Sequence, residues 1–209
     1  MKTETRYHRR QFMGTAAMSV AAAKLGMFSS AAESRESSAT INSTPDKSFG
    51  PLKQIEAGLL NIGYAEAGPA NGRPVILLHG WPYDIYSFVD VAPLLAAKGY
   101  RVIVPYMRGF GTTRFLLSST VRNSQPSALA ADALALMDAL RIDKAVIGAF
   151  DLGARSANII AALWPERCKA MISVSGYLIS SQEANKLPLP PQAGFTWWYQ
   201  FYFATERGR

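Results

Sequence analysis

The chain has 209 residues, a formal net charge of +7, 49% hydrophobic residues, one cysteine and two histidines. That apolar content fills one packed domain, which excludes a disordered chain, and a single thiol excludes both a disulfide scaffold and a CxxC metal site. The charge excess is local: +4 accumulates before Glu33, and the 17 basic and 14 acidic side chains from there to Arg209 contain no basic run, so nucleic acid is not expected as a partner.

In chain order, residues 1–32 come first. Arg9, Arg10 and Phe12 precede an apolar stretch that ends at Lys24. This arrangement is similar to a twin-arginine export signal, which implies the twin-arginine export machinery as a partner and a periplasmic or secreted destination. A bilayer-spanning helix needs about 20 apolar residues, so cleavage is expected rather than a stable membrane anchor. Residues 33–50 are rich in Ser, Thr, Ala and Asn and are expected to form a flexible linker.

From residue 51 the pattern becomes regular. Residues 54–66 predict two short strands with a turn at Asn61–Gly63, and the apolar run 74–79 predicts a strand buried on both faces. A helix over 86–97 and a strand over 101–105 follow. Residues 127–140 predict a helix with Ser127 as N-cap and Leu129, Leu134, Met137 and Leu140 on its apolar side. A strand over 144–148, a helix over 153–163 and a strand over 170–175 complete the alternation. Cys168 is expected as a small buried side chain leading into that last strand. Strands alternating with helices imply an α/β fold with a mostly parallel sheet, whose ligands sit beyond the carboxyl ends of the strands.

Three of those strand ends carry motifs. Gly148-Ala-Phe-Asp-Leu-Gly153 has the form of a nucleophile elbow, a tight strand-to-helix turn that lifts one side chain over the sheet, with Asp151 at the raised position. His79-Gly80-Trp81-Pro82 and Arg108-Gly109-Phe110-Gly111 follow the earlier strands. A carboxylate at an elbow attacks an electrophilic carbon and forms an ester that water must then hydrolyse, which suits epoxides or organohalides as small-molecule substrates. His79 is expected to be a structural turn histidine rather than a base.

In this order the motifs resemble the epoxide hydrolase and haloalkane dehalogenase branch of the α/β-hydrolase superfamily. The resemblance implies Asp151 as nucleophile and the backbone N–H groups of Trp81 and Leu152 as an oxyanion hole. It makes His79, Gly80, Pro82, Arg108, Gly109, Gly111 and Gly153 structural motif residues. It also implies a core over 51–176 and the start of a helical cap over 177–209, whose Tyr199 or Tyr202 would donate to an epoxide oxygen. No cofactor and no metal are implied. Leu152 stands where haloalkane dehalogenases carry a halide-holding Trp, so epoxide opening is expected ahead of dehalogenation.

Asp151-Leu-Gly-Ala-Arg155 is also similar to the Asp-Arg-Gly-Ala-Arg of haloacetate dehalogenases, whose two arginines bind the substrate carboxylate. Only Arg155 is present, and it is expected in a helix-surface or core-edge salt bridge. The resemblance places the water-activating histidine and its acid beyond Arg209, so the chain is expected to be an N-terminal portion that is inactive alone. A non-catalytic binding protein is the reading if the protein ends there.

Overall fold

A computed structural model describes residues 48–177, 181–183 and 186–208, so the expected export signal and most of the expected linker lie outside the described residues. Strands β1 (Lys53–Ala57) and β2 (Leu60–Ala67) form an antiparallel hairpin. Its turn falls at Gly58-Leu59, not at Asn61–Gly63. Leu60, Ile62 and Tyr64 are all buried, so inward alternation carries β2 straight through the expected turn.

Strands β3 (Arg73–Leu78) and β4 (Tyr100–Pro105) follow, then the two-residue β5 (Arg114–Phe115), which has no sequence signal. Strands β6 (Ala145–Phe150) and β7 (Cys168–Val174) complete the set. The sheet order is β1-β2-β4-β3-β6-β7, with β5 paired to β2. The β4, β3, β6 and β7 strands run parallel, while β1, β2 and β5 make the antiparallel side.

The expected helix over 86–97 is two pieces, a 3-10 turn at Ile85–Phe88 and helix α1 (Val91–Ala97). Pro93 has no N–H to bond to the carbonyl of Val89, so a continuous helix cannot pass that point. Helix α2 (Pro126–Ala139) has Gln125 as N-cap and Pro126 in its first turn; Ser127 lies inside the helix and is not the cap. The fixed φ of proline suits the first helical position, which moves the start upstream of the serine. Helix α3 (Asp151–Leu163) begins two residues before the expected start at Gly153. Two short helices, α4 (Pro191–Thr196) and α5 (Trp198–Phe203), occupy the cap region.

The core forms two clusters on opposite faces of the sheet. Ile76, Ile103 and Ile147 meet α2 and α3 through Leu136, Met137, Ala157 and Ile160. On the other face Val75, Leu77, Val102 and Val104 meet Ile85 and Ala92. Phe49, expected in the linker, packs against this second cluster with its ring 5.8 Å from Tyr86, so the ordered fold starts before residue 51. Cys168 opens β7 as expected but is only half-buried, since the rest of that strand is exposed along the sheet margin.

Helix α2 is tied to the carboxyl end of β4 by one buried ion pair. Arg108 Nε donates to Asp132 Oδ2 at 2.6 Å and Nη2 to Asp132 Oδ1 at 2.7 Å, while Nη1 donates to Asn123 O and Oδ1 at 3.0 and 2.8 Å. Asp132→Ala would strand this guanidinium in the interior, and we expect a loss of about 3–5 kcal/mol in urea unfolding of the full-length protein.

Candidate active site

Strand β6 passes into α3 with no intervening loop, and Asp151 is the corner. Its φ of +51° places it in the left-handed region, where few non-glycine residues sit; Arg141 and Ser175 are the other two among the described residues. Such a corner leaves little room around it. A Cβ on Gly80 would lie 2.8 Å from Asp151 Oδ1, and one on Gly153 would lie 2.6 Å from the His79 carbonyl. Gly80 therefore lets the loop after β3 approach the raised carboxylate, and Gly153 lets α3 start flush against the end of β3.

That approach produces a direct bond. The Trp81 N–H donates to Asp151 Oδ1 at 2.9 Å. Leu152 N–H belongs to the first turn of α3, where an amide has no carbonyl one turn earlier to receive it, and the helix dipole favours negative charge at this end. The two amides expected as an oxyanion hole thus come from two elements that meet at Asp151. The Trp81-Pro82 peptide is cis.

His79 is fully buried. The Met107 N–H donates to its Nε2 at 3.2 Å, so Nε2 carries no proton, and Nδ1–H donates to the Gly80 carbonyl at 3.2 Å. With both nitrogens engaged inside the fold, His79 has no free position for a substrate water. Arg108, Gly109 and Gly111 form the neighbouring turn, in which Phe110 places its ring edge-on to His79 at 4.8 Å.

Above the corner lies a cavity of about 490 Å³ lined by Asp151, Arg155, Ser175, Tyr177, Trp197 and Tyr199 among others. The two cap tyrosines separate here. Tyr199 faces the cavity and stacks on Trp81 at 4.6 Å, whereas Tyr202 is absent from the lining and packs against Trp198 and Phe203. Arg155 overturns the salt-bridge expectation: among the described residues it has no ion pair, its guanidinium lies 4.6 Å from the Tyr177 ring, and its Nε is buried without an acceptor. One helical turn separates it from Asp151, so both side chains reach the same cavity.

Sequence reasoning missed Ser175 and Tyr177 as cavity residues, and Asp132 and Asn123 as partners of Arg108. The first two follow a strand end, a signal that was available; the other two depend on chain packing and had none. Among the described residues no group of three or more His, Cys, Asp or Glu can hold a metal, and no helix is long and apolar enough to cross a membrane.

Burial pushes the His79 pKa below its ordinary 6.5, against the opposing pull of the Gly80 and Tyr83 carbonyls and the Asp84 carboxylate. The unfolded chain therefore takes up this proton first as the pH falls. The stability contribution of the neutral ring is complete above about pH 6.5 and declines below it. Urea midpoints at pH 7 and pH 5 should show that decline in the wild type and a smaller one in His79→Gln.

A family model described as the alpha/beta hydrolase fold matches residues 73–207. Epoxide hydrolase B of Mycobacterium tuberculosis is 28% identical over 158 residues, covering 69% of this chain and 44% of its own. A haloalkane dehalogenase of Mycobacterium marinum is 48% identical over 52 residues, 25% of this chain and 18% of its own. A crystal structure from Klebsiella pneumoniae subsp. pneumoniae MGH 78578, whose epoxide hydrolase name is itself provisional, superposes with a TM-score of 0.72 at 66% identity, covering 78% of this chain and 54% of that one. The chain spans about half the length of these epoxide hydrolase relatives. With its mixed, mostly parallel sheet and a motif at three of its strand ends, the chain belongs to the α/β-hydrolase fold family.

Proposed function

We propose that this chain carries the nucleophile half of an epoxide hydrolase-like enzyme. One observation supports the reading above the others: Asp151 is held in a left-handed corner under a cavity, with an amide on its carboxylate and a tyrosine in the same wall. In the first step an Asp151 oxygen attacks an epoxide carbon. The ring C–O bond breaks, its electron pair moves to the oxygen, and that oxygen takes the Tyr199 hydroxyl proton.

In the second step water adds to the carbonyl carbon of the Asp151 ester. Trp81 and Leu152 N–H groups stabilise the tetrahedral oxyanion, the acyl C–O bond breaks, the departing alkyl oxygen takes back the water proton held by the base to complete the diol, and the proton left on the Asp151 acid returns to the Tyr199 oxygen. The histidine that takes the water proton is expected from the half of the family fold that this chain does not span; His79 is not that base. No cofactor enters either step. The partner is a small epoxide, and Arg9, Arg10 and Phe12 support delivery to the periplasm by the twin-arginine machinery.

The test is mass spectrometry of the full-length protein after turnover of styrene oxide in H₂¹⁸O. Label is expected in the Asp151 carboxylate, and none in Asp151→Asn. Removing the donor in Tyr199→Phe should slow ester formation by about 10²-fold. Unlabelled Asp151 alongside continued diol formation would mean direct attack by water and would reject the mechanism.

Arg155 favours a second reading, a haloacid dehalogenase, because a guanidinium that lines the cavity and has no ion pair among the described residues suits an anionic substrate. Asp151 would then displace halide from the carbon next to a carboxylate. On this reading Arg155→Met lowers kcat/KM for chloroacetate by about 10²-fold, the scale of a lost charge-assisted hydrogen bond pair, with little change for styrene oxide. No halide release from chloroacetate by the wild type would leave epoxide opening as the surviving assignment.

A further inference from the structure

We infer that His79 is the positioning residue of the oxyanion hole: its bond to the Met107 amide ties the loop carrying Trp81 to the buried Arg108–Asp132 pair. The role rests on the hydrolytic reading above, in which Trp81 N–H must stay in place while Asp151 changes from carboxylate to ester to tetrahedral adduct.

The bond between Trp81 N–H and Asp151 cannot do this holding, because its acceptor is the group that reacts. The loop needs an anchor outside the chemistry. His79, two residues before Trp81, is fully buried and joins two backbone segments: it accepts from Met107 N–H and donates to Gly80 O. Phe110, packed edge-on to the ring, closes the turn by donating its own N–H to the Met107 carbonyl at 3.0 Å.

Met107 is held in turn. The next residue, Arg108, makes four hydrogen bonds to Asp132 and Asn123, and Asp132 stands on α2, whose apolar side is fixed in the core. A continuous series of bonds therefore runs from α2 through Arg108, Met107 and His79 to the Trp81 amide. The His-Gly-x-Pro and Arg-Gly-x-Gly segments act as one unit, in which the second fixes the first. Leucine at position 79 would fill the volume and leave Met107 N–H buried without an acceptor. Glutamine keeps an acceptor close to the position of Nε2.

The distinguishing readout separates the two half-reactions, since only ester hydrolysis develops new charge on the oxygen facing these amides, whereas in ester formation they face a carboxylate whose charge is already present. In single turnovers of the full-length protein with styrene oxide, His79→Leu should slow breakdown of the Asp151 adduct by about 10²-fold, the cost of one misplaced donor, so the adduct accumulates in the intact mass. Ester formation should change by less than about 3-fold, and His79→Gln should restore breakdown to within about 5-fold of wild type. Equal slowing of both steps, or of neither, overturns the inference.

Hydrogen exchange of the segment 79–84 supplies a measurement that needs no turnover. His79→Leu should speed its exchange by about 10-fold or more while His79→Gln does not, and unchanged exchange in His79→Leu overturns the positioning role. If wild-type protein forms no adduct at Asp151, the epoxide reading falls and the exchange result alone decides the role of His79.

Discussion

The site depends on one backbone constraint, the left-handed turn at Asp151. A strand that enters a helix without a loop must reverse direction in a single residue, and the positive φ achieves it while raising the side chain above the sheet. The strain is of order 1–3 kcal/mol and is held by the surroundings. Those surroundings are built for close approach: glycine at 80 admits the loop after β3, and glycine at 153 admits the end of β3. Aspartate also suits the corner itself, since its short polar side chain tolerates the left-handed region better than most.

From that corner the remaining geometry follows. The parallel strands β3, β4 and β6 end at one margin of the sheet, so the loops after them converge although they lie far apart in sequence. Convergence alone leaves each loop free to move. Here they are joined by two different kinds of contact. Trp81 N–H on Asp151 is a contact of the proposed chemistry, and Met107 N–H on His79 with Arg108 on Asp132 are contacts of the frame. Burial separates the two kinds: His79 and Arg108 lie in the interior, while Asp151 is half-exposed to the cavity.

How far the sequence could be read follows from the same physics. Strands β3, β4 and β6 were legible because strands covered on both faces require uninterrupted apolar runs, and the elbow was legible because its steric demand restricts residue type. The β1–β2 turn was misplaced because Asn61 and Gly63 carry turn chemistry yet sit within an inward alternation that dominates. The break before α1 was there to be read in Pro93, which removes a needed donor, while apolar periodicity ran across it. Arg155 and Asp132 were not legible as what they are, since whether a charge meets a partner depends on packing between distant segments. Tyr199 and Tyr202 are three residues apart in an aromatic run, and only the placement of α5 decides which ring reaches Trp81.

Arg155 bears on substrate choice through its distance from the reacting group. It lies one helical turn from Asp151 and lines the same cavity, so on the proposed mechanism its guanidinium loses a negative neighbour when the Asp151 ester forms. On that mechanism a neutral epoxide gains nothing from Arg155, whereas a substrate carrying its own negative charge would keep the guanidinium compensated once Asp151 is alkylated. Tyr177 moderates the contrast: with its ring face 4.6 Å from the guanidinium, it offers the cation a partner that persists through both steps. The cavity can in this way retain an arginine that has no ion pair among the described residues without committing to an anionic substrate, and Leu152 adds no donor beyond its backbone amide. On the proposed mechanism, what separates epoxide opening from halide displacement is then the leaving atom, and Tyr199 in the wall would supply a proton donor that an epoxide oxygen needs and a departing halide does not.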